Sequence, residues 1–191
     1  MHANICDYLL DAVQNSIEAG AASVKVDLQE TEDMLEVTVH DNGCGMSPEA
    51  LEAAKDPFTT SPGKHDHRKV GLGIPFMLQH AETTGGMCDI TSVPQEGTTI
   101  RCTFPLDHVD TPPVGDVVST WVSALNYPGP HEMEICRSLS TGEAHGCYRI
   151  VRSELSEAAG GLEDAGALAL VHAYIASLEA SLTQHNEEKR S

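Results

Sequence analysis

Residues 34–46 read MLEVTVHDNGCGM, an alternating run followed at once by an aspartate and two glycines. Apolar residues at every second position up to His40 predict a β-strand with one buried face. Gly43 and Gly45 predict a sharp turn, and because they lack a Cβ the backbone there can approach a flat ring closely. The carboxylate of Asp41 can accept a hydrogen bond from an exocyclic amine on such a ring. Alone, the stretch is equally consistent with an ordinary tight turn.

The flanking sequence predicts helices and strands that form two layers. Residues 3–19 have a helical period that ends at Gly20, and Ser47 followed by Pro48 predicts the start of a short helix. In chain order the predicted segments are helix 3–19, strands 22–28 and 34–40, helix 47–54, helix 72–84, and strands 87–93 and 98–106. We therefore predict an α+β fold, a two-layer α/β sandwich with helices on one face of a mixed, mostly antiparallel sheet.

Composition also predicts a division of the chain. Residues 1–106 hold the elements above, and 107–116 (DHVDTPPVGD) predicts a polar linker. Residues 117–191 predict a C-terminal extension made of a short helix, a hairpin and a long helix. We expect the apolar side of the long helix, with His172 buried in it, to pack on the core or on a second subunit in a homodimer. That side carries Leu168, Val171, His172, Ile175, Leu178 and Leu182.

Charge and cysteine usage exclude several classes of function. The chain has 191 residues and a formal net charge of -18, which disfavours binding to nucleic acid or to anionic lipid. No run approaches the ~18 apolar residues of a membrane span, and no basic and then apolar leader begins the chain, so we expect a cytoplasmic protein. Six scattered cysteines without a C-x-x-C pair predict free thiols, two of them in strands, in place of a disulfide or zinc framework.

The helix over 3–19 carries polar side chains on one narrow stripe. A turn of about 100° per residue places Asn4, Asp11, Asn15 and Glu18 on that stripe. The Asp11 carboxylate and the Asn15 amide therefore project together. Alone, such a stripe is typical of a solvated helix face.

Basic residues are concentrated in the long irregular segment 55–73 (KDPFTTSPGKHDHRKVGLG). It holds Lys64, Arg68 and Lys69, in a chain with 11 lysines and arginines, and its last glycines come directly before a helix. Cations and the amide groups at a helix start attract anions, so the segment predicts an anionic ligand. The alternative is a surface loop whose charges are only solvated.

Five short motifs occur in order along the chain: DAVQN (11–15), DNGCG (41–45), DPFTTS (56–61), GLGIPF (71–76) and GTT (97–99). The set resembles the GHKL ATP-binding superfamily, which includes sensor histidine kinases, DNA gyrase, MutL-type mismatch-repair proteins and heat-shock chaperones. The resemblance covers residues 3–106. It implies a Bergerat-type ATP-binding fold with ATP and Mg²⁺ as ligands.

The resemblance also implies roles for individual residues. It implies that the Asn15 amide binds a Mg²⁺ that bridges the nucleotide phosphates, and that Asp41 accepts the adenine amine. The other residues assigned to the ATP site are Gly43 and Gly45 at the adenine floor, Gly71 and Gly73 where the lid meets the phosphates, Thr98 beside an adenine-side water, and the motif neighbours Met46 and Leu72. Lys64, Arg68 and Lys69 fall in the lid segment, and their contact with phosphate is inferred from charge alone.

Asp11 lies four residues before Asn15, a position where relatives that hydrolyse ATP commonly carry a catalytic carboxylate. We expect Asp11 to act as the general base that orients or deprotonates a water or hydroxyl for attack on the γ-phosphate. The alternative role is to order the waters around Mg²⁺, because aspartate is one methylene shorter than the more usual glutamate.

The motifs point to two branches of the superfamily. Residues 57–106 look most like the catalytic domain of sensor histidine kinases, whereas the first two motifs lean towards the MutL pattern. No helical hairpin with a phosphoacceptor histidine precedes the first motif, so we expect the acceptor to be another protein or water.

The function predicted from these residues is that of a stand-alone Mg-ATP-binding protein. It would hydrolyse ATP or phosphorylate a partner protein in signalling. Two alternatives stay open. One is a nucleotide-gated binding module with negligible turnover, and the other is a MutL- or gyrase-like clamp component, which the negative charge disfavours.

Overall fold

Twelve elements make up the part of the chain that the computed structural model describes, residues 4–56, 73–142 and 144–188, with side chains up to Gln184. The helices are α1 (Ile5–Glu18), α2 (Pro48–Lys55), α3 (Gly73–Thr83), α4 (Val117–Leu125), α5 (Arg152–Ala159) and α6 (Ala165–Glu188). The strands are β1 (Ser23–Glu30), β2 (Met34–Asp41), β3 (Cys88–Val93), β4 (Gly97–Pro105), β5 (Glu132–Thr141) and β6 (Ala144–Val151).

The strands form one six-stranded sheet in the order β3-β4-β2-β1-β5-β6. Every neighbouring pair is antiparallel except β1 and β5, which run parallel. Val26 in β1 is aligned with Val39 in β2 and with Ile135 in β5. All three side chains are buried, because the alternating pattern puts them on the same face.

Helices cover that apolar face and leave the other face polar. α1 packs on β1 and β2, α3 on β3 and β4, and α6 on β5 and β6, with α4 in contact with α1 and α6. On the open face, Lys25 lies 3.6 Å from Glu134, and Arg101 lies 2.8 Å from Glu36. The predicted two-layer α+β sandwich with a mixed, mostly antiparallel sheet is therefore confirmed.

Helix α1 begins one residue later than its polar stripe suggested. Asn4 is the N-cap, and its side chain accepts a hydrogen bond from the Asp7 amide at 2.9 Å. Asn4 therefore does not share the stripe of Asp11 and Asn15, because a capping residue has extended backbone and points its side chain back at the first turn.

The C-terminal region joins the same sheet and the same core. β5 lies beside β1, and Trp121 in α4 is fully buried. The segment 107–116 runs along the start of α1, where the amides of Ile5 and Cys6 each donate to its backbone carbonyls at 2.9 Å.

A short helix follows β6 where the sequence predicted only the second strand of a hairpin. β6 ends at Val151, and α5 begins at Arg152. α5 ends at Ala159 and is capped by Gly160, which has a φ of 77°, a left-handed conformation that glycine adopts without steric cost.

A buried ionic and hydrogen-bonded network ties α6 to the sheet. Arg137 in β5 is 4% exposed and pairs with Glu30 of β1, while Glu179 of α6 lies 3.5 Å from its Nε. The Tyr148 hydroxyl donates to the Glu179 carboxylate and accepts from the Trp121 indole at 2.8 Å. Burial, and then the Glu179 carboxylate, raise the pKa of Tyr148 well above its ordinary value.

Three observations concern a cysteine pair, His172 and helix α6. Cys88 and Cys102 lie directly opposite each other across β3 and β4, with Cα atoms 4.0 Å apart, so these two thiols are adjacent, a pairing that the sequence did not predict. His172 is exposed and not interior, because α6 buries a narrower stripe: Ala167, Val171, Ile175 and Leu182. Within the described residues, α6 is long and apolar enough over Ala165–Gln184 to span a membrane, with 22% of that window buried.

Candidate functional site

Asp41 lies at the end of β2, and its carboxylate is buried and held by three donors. Oδ1 accepts from the backbone amides of Gly43 at 2.8 Å and Thr98 at 3.3 Å. Oδ2 accepts from the Ser16 hydroxyl at 2.8 Å. Because the donors come from α1, the β2 turn and β4, the orientation of the carboxylate is fixed before any ligand arrives. The sequence did not single out Ser16, although a serine in the apolar stripe of α1 was a signal.

The turn after β2 is held between the end of α1 and the β3–β4 turn. The Cys44 amide donates to the Ala19 carbonyl at 3.0 Å, and the Cys44 carbonyl accepts from the Gln95 amide at 2.7 Å. Gly45 has a φ of 61°, and a Cβ there would lie 2.0 Å from the carbonyl oxygen of Val93. Glycine at 45 is therefore required by the close approach of two backbones.

Gly97 at the start of β4 is a further requirement that sequence reasoning did not assign to the site. A Cβ at this position would lie 1.9 Å from the Asp41 carbonyl oxygen, and the φ of Gly97 is 123°. The signal was present, since Gly97 is the first residue of the GTT motif. Its lack of a side chain lets β4 come close to Asp41.

Thr98 and Met46 meet at a serine that was also not predicted. The Thr98 hydroxyl lies 2.9 Å from the Ser92 hydroxyl, which accepts from the Met46 amide at 2.8 Å. Ser92 and Thr98 are paired across β3 and β4, so the hairpin register could have identified the contact. The hydroxyl pair sits beside the Asp41 carboxylate because the Thr98 amide is one of its donors.

The polar face of α1 continues the site away from Asp41. Asn15 is exposed next to the buried Ser16, and Asp11 is half-buried one turn earlier. A Cβ on Gly73, the first residue of α3, would lie 2.3 Å from Asp11 Oδ2. Asp11 therefore packs against the N-terminus of α3, where the backbone dipole favours a negative charge.

The C-terminal region contacts the flank of the same face. The Tyr127 hydroxyl donates to Gln14 Oε1 at 3.2 Å, and Gln14 Nε2 donates to Glu18 at 2.9 Å. Burial raises the pKa of Tyr127, and the carboxylates of Asp11 and Glu18 raise it further. No motif marked Tyr127, because it lies outside the segment that resembles a known family.

A second polar contact joins α1 to α3. The Tyr8 hydroxyl is hydrogen-bonded to Nδ1 of His80. Burial, and to a lesser degree the Asp7 charge, raise the pKa of Tyr8 to about 12. The helix that follows the predicted lid is thus anchored to the helix that carries Asp11 and Asn15.

The structure brings eight of the predicted site residues to one end of the sheet: Asp11, Asn15, Asp41, Gly43, Gly45, Met46, Gly73 and Thr98. Five predicted residues lie outside the described residues: Lys64, Arg68, Lys69, Gly71 and Leu72. Across the described ranges, no three His, Cys, Asp or Glu side chains lie close enough to hold a metal ion. A cation bound here would therefore depend on the Asn15 amide, on the ligand and on water.

The chemistry of this end of the sheet suits an adenine nucleotide. A buried, fixed carboxylate offers an acceptor for an exocyclic amine, and an exposed amide oxygen offers a ligand for a hard cation. A second carboxylate, Asp11, lies one helical turn away from Asn15. The assignment of Mg²⁺ and ATP to these residues stays a prediction.

Comparisons with known proteins identify relatives of the first part of the chain. The chain is 27% identical over 119 residues to the Non-motile and phage-resistance protein of Caulobacter vibrioides, which covers 60% of this chain and 14% of that protein. It is 31% identical over 83 residues to the DNA mismatch repair protein MutL of Rhizorhabdus wittichii, covering 44% of this chain and 14% of that protein. The chain thus spans a small part of these relatives.

The chain also resembles a solved structure and matches a family model. The crystal structure of full-length ShkA in complex with AMPPNP aligns with a TM-score of 0.42 and 20% identity, covering 55% of this chain and 22% of that chain. The model for histidine kinase-, DNA gyrase B- and HSP90-like ATPases matches residues 4–108, which is more than half of the chain. The chain therefore belongs to the family of histidine kinase-, DNA gyrase B- and HSP90-like ATPases.

Proposed function

We propose that this protein binds Mg-ATP at the end of β2 and α1 and transfers the γ-phosphoryl group to water or to a partner protein in signalling. One observation carries the proposal. The Asp41 carboxylate is buried and held by three donors, next to the helix face that carries Asn15 and Asp11. Family membership supports the same reaction class. We further propose that it acts in the cytoplasm.

Asp41, Thr98 and Asn15 divide the binding of the nucleotide between them. Asp41 Oδ2 accepts the adenine amine, while its other oxygen stays bound to the two backbone amides. The Thr98 hydroxyl, held by Ser92, positions water at the adenine edge. The Asn15 amide oxygen would hold Mg²⁺, and the ion would supply positive charge beside the phosphate oxygens when bound.

Asp11 serves as the general base in this proposal. Its packing against Gly73 fixes the carboxylate at the junction between α1 and α3, where an attacking water or hydroxyl can be oriented. On charge alone we assign phosphate binding to Lys64, Arg68 and Lys69, which lie outside the described residues, as do Gly71 and Leu72, assigned to the same site by resemblance.

Calorimetric titration with Mg-ATP tests the binding step. We expect saturable binding by the wild-type chain and loss of the Mg²⁺ dependence in Asn15→Ala, because the variant removes the amide ligand. Asp89→Asn, at an exposed aspartate in β3, is the control. The absence of saturable binding at millimolar nucleotide would contradict the proposal.

A second candidate function is a nucleotide-gated binding module with negligible turnover. The contact of Asp11 with the start of α3 favours this function. A carboxylate held at a helix N-terminus can position that helix without taking part in catalysis. Phosphate release distinguishes the two functions. A rate that Asp11→Asn abolishes, with Mg-ATP affinity retained, supports the enzyme, whereas an unchanged background rate supports the module.

A further inference from the structure

An apolar groove lies at the β6 edge of the sheet, three strands away from β2, which carries Asp41. Its floor is the end of edge strand β6, and its walls are α5 and α6. The groove has a volume of about 400 Å³. Most of its lining is apolar, with Ile150, Val151, Leu155, Leu170, Val171 and Tyr174 as the large side chains.

Two large side chains of α6 stand exposed at the mouth of the groove. Leu170 is 66% exposed and Tyr174 is 49% exposed. They lie one helical turn apart, and residues 165–178 contain no Asp, Glu, Lys or Arg. An uncharged, partly apolar helix face beside an apolar groove is the usual form of a helix-binding surface.

The charges around this surface are predominantly negative. Glu154 lines the groove and its side chain is 73% exposed, and Glu157, Glu163 and Asp164 are exposed nearby in sequence. Arg149 also lines the groove, where its guanidinium donates to Glu134 at 2.8 Å and lies 4.0 Å from Glu154, so its single positive charge is shared between two carboxylates.

Arg152, the arginine of α5, is directed inward. Arg152 donates to the backbone carbonyls of Leu125 at 2.9 Å, His131 at 2.9 Å and Tyr127 at 3.3 Å. Its guanidinium therefore does not offset the carboxylates on the outside of α5. The groove presents an apolar floor with an acidic margin.

We propose that this groove is a docking surface for an amphipathic helix of a partner protein, with apolar anchors on one face and lysine or arginine beside them. The apolar anchors would cover Leu170 and Tyr174, and the cations would lie against Glu154 and the neighbouring carboxylates. A second copy of this chain fits less well, because both copies would bring the same acidic margin and a net charge of -18. The inference is independent of the proposed nucleotide chemistry.

Binding of two labelled peptides to the full chain tests the docking surface. The first is an amphipathic leucine and lysine helix of about 18 residues, and the second is the matched leucine and glutamate helix. Fluorescence anisotropy should show saturable binding of the lysine peptide, weaker at higher salt, and none of the glutamate peptide. We expect Leu170→Gln to weaken that binding about tenfold, since it removes one apolar contact.

Val109→Gln is the matched control, because Val109 is 92% exposed and lies outside the groove. Thermal unfolding checks that both variants keep the fold. Four results would overturn the proposal: no saturable binding of the lysine peptide, equal affinity in Leu170→Gln, a Leu170-dependent dimer in sedimentation, or Leu170-dependent binding to phosphatidylcholine vesicles. Each of the last two assigns the groove to a different occupant.

Discussion

The substitution Asp41→Asn should separate nucleotide recognition from folding. An amide oxygen can keep the backbone donors of Gly43 and Thr98. The amide nitrogen would replace Oδ2 and donate to Ser16, whose hydroxyl has the Ala12 carbonyl at 3.1 Å as an alternative acceptor. Every polar group thus keeps a partner, so we expect a loss of about 1 kcal/mol in the free energy of unfolding.

Asp41→Asn should weaken nucleotide binding more than it lowers stability, because the adenine amine would face the amide nitrogen, which is also a hydrogen-bond donor. A hydrogen bond to a charged acceptor contributes ~1.5–3 kcal/mol, so its loss corresponds to roughly ten- to hundredfold weaker Mg-ATP binding. Isothermal titration of the wild type and Asp41→Asn measures this change. Asp89→Asn, an exposed aspartate in β3, is the control and should bind as the wild type does.

Two results would refute the reasoning. If Asp41→Asn binds Mg-ATP within about twofold of the wild type, the carboxylate does not receive the adenine amine. If urea unfolding shows that the variant is destabilised by several kcal/mol, the alternative hydrogen bonds of Ser16 do not form, and Asp41 acts chiefly in the fold.

Three further predictions concern stability. Gly97→Ala should lower the free energy of unfolding in urea by about 2–5 kcal/mol, because its Cβ would lie 1.9 Å from a carbonyl oxygen. Gly85 has a φ of 81° and open space around it, so the control Gly85→Ala should lower it by only about 1–2 kcal/mol. Burial lowers the pKa of His131 below its ordinary 6.5, so the unfolded chain binds its proton first and stability should fall as the pH drops below 6.5; His131→Leu should flatten this slope in urea unfolding. Arg137→Met should cost about 3 kcal/mol by thermal unfolding, since it leaves Glu30 without its buried partner, and the double variant with Glu30→Gln should recover part of that loss.

The end of β2 could be predicted from sequence because several local rules agreed there. The alternation up to His40 gave the strand, and the glycines after Asp41 gave the turn. The structure adds a second reason for Gly45, the approach of the Val93 carbonyl, which depends on a hairpin far along the chain. Local patterns identify such a residue, but only the fold reveals what it makes room for.

The parallel pairing of β5 with β1 could not be predicted from either strand. Alternation tells which residues face the core, and it does not name the neighbouring strand. The sequence pattern did not predict α5, because the strand pattern of residues 144–151 could be extended into 153–155. Helix propensity and the capping residue Gly160 favour a short helix there instead. Tyr127 reaches Gln14 only through this three-dimensional arrangement.

His172 shows why helix periodicity overestimated a buried face. The helical period predicted an apolar stripe on α6 that includes His172. In the structure, only a narrow set of positions contacts the sheet and α4. A helix that packs at the edge of a domain buries fewer residues per turn than one covered on both sides. The same narrow burial leaves Leu170 and Tyr174 exposed.

The pairing of β1 with β5 also determines where the chain can be cut. A fragment ending in 107–116 would match the family over 4–108, yet it would leave the backbone groups of β1 unpaired along a full strand. Val24, Val26 and Leu28 would lose the cover of Met133 and Ile135 at that edge. Exposed strands of this kind pair with other chains and aggregate. The C-terminal region therefore pairs with and covers the β1 edge of the sheet, and a shortened fragment that is meant to stay soluble must retain it.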